Sequence, residues 1–135
     1  MPSTPPPAYG HTVHLPGISY EDAKSRIVEA LKQEGFGILT EIDVKATLRA
    51  KLDKDFRKYV ILGACNPALA YEALKLENKV GTMLPCNVVV RDAGNGQTEV
   101  AAIDPVASMQ AINNPELNRA AGQVRAKLEK VIEQL

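Results

Sequence analysis

Apolar and polar positions alternate or recur along most of this chain, and the period changes from stretch to stretch. Residues 11–15 alternate, with Val13 on one side and Thr12 and His14 on the other, and predict a first strand. Tyr20, Ala23, Ile27, Ala30 and Leu31 then recur at helical spacing. Ser19 and Asp22 form a capping box ahead of them, and Gly35 is the stop. Residues 36–42 alternate again and predict a second strand. Asp43 caps a shorter helix carrying Val44, Leu48 and Leu52. Residues 59–62 are continuously apolar and too short for a helix, so they predict a buried strand, with Gly63 and Ala64 letting the backbone turn. Asn66-Pro67 starts the next helix, since Asn accepts a free amide at the cap and Pro loses nothing at the first helical position.

The connection over residues 77–85 is long for a helix-to-strand loop, where ~2–6 residues are usual. Pro85 marks a bulge or an edge before the strand at 87–91. Asn95-Gly96 is a hairpin signal, and 98–103 is the return strand. Asp104-Pro105 ends it, and 106–113 reads as a loop or a short helical turn. Asn114-Pro115 repeats the Asn-Pro helix start. Leu117, Ala121, Val124, Leu128, Val131 and Leu135 then make one apolar stripe over ~30 Å of helix.

These elements predict an α+β fold: a two-layer sandwich with a mixed sheet of about five strands and three to four helices packed mainly on one face. Length agrees, since 135 residues suit a single domain with a real core. The first ten residues are Pro-rich, carry no charged side chain, and read as a disordered arm ahead of a domain over 11–135.

Charge changes the picture by exclusion. Sixteen basic residues balance sixteen acidic ones, so no global field attracts nucleic acid or a membrane surface. The basic positions from Lys45 to Lys58 read as a solvated face rather than a phosphate patch. Trp is absent, which disfavours base-stacking platforms. No apolar run approaches the ~18 residues of a membrane span. Two cysteines without a secretory signal fit a reducing, cytoplasmic compartment. In a strand His11 and His14 fall on opposite faces and do not clasp one metal, and no cofactor motif is present.

Candidate chemistry rests on the two cysteines, each followed by asparagine: Cys65-Asn66 and Cys86-Asn87. Cys65 precedes a helix N-terminus, where free amides and the macrodipole favour an anion such as a thiolate. The bland alternative is a buried cysteine acting as a small hydrophobe. A strand, helix and strand in sequence normally make a parallel pair, which would hold the sulfurs apart at opposite ends. An antiparallel pair, or a parallel strand that begins before Pro85, would bring them nearer each other, and the long connection favours proximity. Gly63, Cys65, Asn66, Cys86 and Asn87 are therefore the candidate ligand-binding residues, with no catalytic residue identified.

With these residues placed, the chain resembles the domain-of-unknown-function 302 family of small bacterial and archaeal proteins, over about residues 12–135. The resemblance is carried by Gly35-Phe36-Gly37 with Leu39, Tyr59-Val-Ile-Leu-Gly-Ala-Cys-Asn-Pro67, Gly81 with Leu84-Pro-Cys-Asn-Val-Val-Val90, and Asp104-Pro105. It implies a compact α and β domain, often dimeric and occasionally beside sulfur-handling domains, with no established reaction. Two functions follow as expectations. One is a small-ligand, sulfur or anion site at the Cys-Asn motifs. The other is a homodimeric interaction module in which those motifs are structural.

Overall fold

Val60, Leu62 and Ala64 are fully buried, while Tyr59 before them and Ile61 between the first two stay partly open. That alternation is the pleat of a strand with one covered face. The computed structural model describes residues 8–135. Of the arm expected over 1–10, residues 1–7 lie outside the described residues, and Gly10 already belongs to a strand. The elements run β1 (Gly10–Pro16), α1 (Tyr20–Gln33), β2 (Gly37–Asp43), α2 (Val44–Leu52), β3 (Tyr59–Cys65), α3 (Pro67–Leu76), a short 3-10 turn (Val80–Met83), β4 (Cys86–Gly94), β5 (Gln97–Ile103), α4 (Pro105–Ser108) and α5 (Pro115–Glu133).

The α+β class and the five-stranded sheet stand as expected. The pairing does not match a mixed sheet, because every neighbouring pair is antiparallel in the order β1-β5-β4-β3-β2. The cause lies in the excursion after β3. α3 and the 3-10 turn leave and return at one end of the sheet, so β4 runs back beside β3 in place of crossing over. Among the described residues five helices stand where three to four were expected, the extra one being α4 inside the stretch read as a loop or a short helical turn.

Gly63 and Ala64 do not turn the chain either. They continue β3 to Cys65, and the glycine serves close approach. A Cβ on Gly63 would collide with Thr40 Oγ1 and lie 2.7 Å from Pro85 Cγ.

Two cores form. The larger lies between the sheet and the helices, where Leu62, Val88, Val90 and Val100 meet Ile27 and Leu31 of α1 and Leu128 and Val131 of α5. The smaller joins Ala73 of α3, Val80, Met109, and Leu117 and Ala121 of α5. The stripe on α5 thus spans both. α2 lies against β2 and β3 and buries none of its residues. A bulge in β2 between Ile38 and Thr40 turns Leu39 outward, 67% exposed.

Candidate functional site

Cys65 ends β3, and Asn66 immediately caps α3. The Asn66 Oδ1 accepts from Leu69 N–H at 3.3 Å, and its Nδ2 donates to the Glu34 carbonyl at 3.4 Å. The second bond ties α3 to the end of α1. Gly35 makes room for it: its φ is +85°, and a Cβ there would stand 3.0 Å from the Asn66 Nδ2. The Gly35-Phe36-Gly37 and Cys65-Asn66 motifs, far apart in sequence, therefore meet.

β4 opens with Cys86, and the register sets Ala64 opposite it. Cys65 is the next residue along β3, so the two cysteines lie one step apart across an antiparallel pair. Cys65 is half-buried and Cys86 buried; both are free thiols. Burial pushes the Cys86 thiol up to about 11, with a smaller contribution from Cys65. Cys86 is accordingly a neutral S–H at physiological pH.

Both sulfur residues line one cleft at the junction of the two cores, with a cavity volume of about 40 Å³. A single water requires ~10–15 Å³ on this scale, so the space accepts only a few heavy atoms. Phe36, Leu69, Leu84, Met109 and Val124 give it apolar walls. Ala64, Ala70, Ala73, Ala120 and Ala121 leave the space open. Among the described residues, Asn66 is the one lining residue with a polar amide side chain.

Of the five residues expected at the site, the cleft gathers Cys65, Asn66 and Cys86. Gly63 and Asn87 pair with each other in the sheet and do not line it. Gly63 is covered by Thr40 and Pro85, and Asn87 is exposed on the opposite face from Cys86. Phe36, Met109 and the α5 positions Ala120, Ala121 and Val124 were not foreseen. The glycines around Phe36 and the small residues within the α5 stripe were the signals in the sequence.

A larger groove beside α2, about 330 Å³, is lined by Asp43, Lys45, Arg49, Lys54, Asp55 and Phe56. Two of its cations, Lys45 and Arg49, are engaged locally. The Arg49 guanidinium lies 3.4 Å from both Asp53 and Asp55, and Lys45 Nζ donates to the Phe56 carbonyl at 2.8 Å. A solvated charged face describes it better than an anion site.

On β1, His11 and His14 project to opposite faces. His11 Nε2 lies 3.9 Å from Glu129, and His14 Nε2 lies 2.8 Å from Glu99. Glu99 also accepts two bonds from Arg91, at 2.8 and 3.3 Å, which hold its carboxyl below the usual range. No group of three or more His, Cys, Asp or Glu able to hold a metal occurs among the described residues. No helix among them is long and apolar enough to cross a membrane.

Residues 11–135 match the family model described as Domain of unknown function DUF302. Among solved structures, the chain is similar to the crystal structure of uncharacterized conserved protein DUF302 from Bacillus stearothermophilus. The two share 32% sequence identity over 95% of this chain and 98% of that one, with a TM-score of 0.86. No curated protein matches the chain.

Proposed function

The chain belongs to the DUF302 family, and from that premise we propose that it binds a small ligand, a sulfur species or an anion, in the cleft holding Cys65 and Cys86. One observation carries the reading: both cysteines, from two strands, line one small space beside the cap of α3. A half-buried thiol at the end of β3 with a buried thiol next to it suits reversible contact with soft ligands. A reducing compartment such as the cytoplasm keeps both in that form. Alkylation of the native protein with iodoacetamide tests it. Cys65 should react first, Cys86 only on unfolding, and an Ala70→Met variant that fills the cleft should slow labelling of Cys65. Two thiols inert in the native state would leave the motifs a structural role.

The second reading, a homodimeric interaction module, is favoured by the other face of the sheet. Ile61, Val89 and Ala101 form a half-buried apolar row there, paired across β3, β4 and β5. Ile42 on β2 extends it, 47% exposed. Sedimentation equilibrium tests this reading. A dimer that dissociates on Val89→Lys supports it, and a monomer at all concentrations removes it.

A further inference from the structure

We infer that the Cys65–Cys86 cleft selects a small neutral sulfur compound, a thiol or thioether, over a sulfur oxyanion. This rests on the ligand site proposed above and names the class of molecule it takes.

The first argument is charge. Among the described residues no lysine, arginine or histidine lines the cleft, so an anion entering it would leave water without a countercharge from them. A helix N-terminus normally supplies amides in place of a cation. Here that supply is nearly exhausted. Pro67 has no N–H, Leu69 N–H is taken by Asn66 Oδ1 at 3.3 Å, and Ala70 N–H bonds to the Asn66 carbonyl at 2.9 Å. Ala68 alone keeps a free first-turn donor among these positions. The Asn66 amide is directed to Glu34. The protein's own buried thiol responds to the same surroundings: burial pushes Cys86 upward, so the cleft disfavours negative charge on sulfur.

The second argument is softness. Cys65, Cys86 and Met109, three sulfur-bearing residues, all line the cleft, and apart from Asn66 the rest of its wall is apolar. The polarizable side chains of cysteine and methionine contact thiols and thioethers well and offer little to a hydrated oxyanion. Size agrees, because about 40 Å³ admits a methyl or ethyl sulfur group and little more.

The test compares two probes on the full-length, reduced, ¹⁵N-labelled protein at neutral pH: dimethyl sulfide and thiosulfate. Dimethyl sulfide should shift the amide signals of Cys65, Asn66, Leu69 and Cys86 in a saturable way. Thiosulfate should need at least ~100-fold more to match it, the discrimination expected when a charge is buried unpaired. Saturable shifts with thiosulfate at similar concentration would overturn the selectivity and leave the site standing. No saturable shift with either probe would overturn both the selectivity and the site.

Discussion

Asn66 and Asn114 each use both ends of one side chain. The Oδ1 of Asn114 accepts from Leu117 N–H at 3.1 Å, and its Nδ2 donates to the Leu76 carbonyl at 3.0 Å. The cap of α5 is thereby tied to the end of α3, as Asn66 ties α3 to α1. The caps were legible in the sequence because Asn-Pro is a local signal. The ties were not, because they join carbonyls more than thirty residues away. Replacing Asn114 with Ala should lower stability by roughly 0.5–2 kcal/mol, and Asn114→Asp, which keeps the acceptor and removes the donor, should fall between. Urea denaturation measures both, and an unchanged midpoint for the Ala variant would remove the cap. Cys86 supplies a second expectation at this scale. Its ordinary value is 9.0, and burial raises it to about 11 in the folded chain. Below pH 9 both states hold the proton, and the thiol's contribution to stability is fully present. Above that the unfolded chain releases its proton first, so stability falls as pH rises toward about 11. Cys86→Ala should flatten this loss by on the order of 1–3 kcal/mol. Equal losses in both proteins between those pH values would assign the decline to other groups.

At the scale of elements, α5 does the most work because its stripe faces two cores. Leu117 and Ala121 enter the smaller one, and Leu128 and Val131 the larger. Leu128 is wholly buried, so Leu128→Ala should cost ~2–5 kcal/mol, from lost transfer energy and the cavity left behind. A loss under ~1 kcal/mol in denaturant melts would mean that the helix does not pack as described. This stripe was legible because helical spacing persists over many turns. α4 was legible only as one of two alternatives, a loop or a short helical turn, and the 3-10 turn not at all, since one turn of helix has no period to detect. The expected turn at Gly63 was misread for a different reason. Only Thr40 and Pro85, brought there by β2 and β4, explain the need for glycine in mid-strand. Gly63→Ala should therefore destabilise by ~1–3 kcal/mol, and Thr40→Ala in the same chain should recover part of that. A double-mutant cycle without coupling would separate the two residues.

At the scale of the whole molecule, the antiparallel return of β4 decides whether the two Cys-Asn motifs form one site. The hydrophobic pattern is the same for either strand direction, so the sequence could only lean toward proximity on the length of the connection. With Ala64 opposite Cys86, Cys65 stands one residue farther along β3. Strands ~4.8 Å apart and a step of ~3.3 Å place the two Cα atoms about 6 Å apart. That lies inside the ~7 Å limit for a disulfide. The pleat would send Cys65 to the opposite face from Cys86, but Cys65 is the last residue of β3, where the chain leaves for α3, and both line the cleft. Excess oxidised glutathione should accordingly form an internal bond. Two Cys S–H groups and one glutathione disulfide yield one Cys65–Cys86 disulfide and two reduced glutathiones, so electrons and protons balance. The monomer should lose both free thiols together, with no intermolecular crosslink on a non-reducing gel. The bond would also occupy the space a ligand needs, so the oxidised protein should no longer respond to dimethyl sulfide. If instead both thiols stay free under oxidant and label independently, the shared site fails, and Cys65 at the edge of α3 is left as the sole candidate.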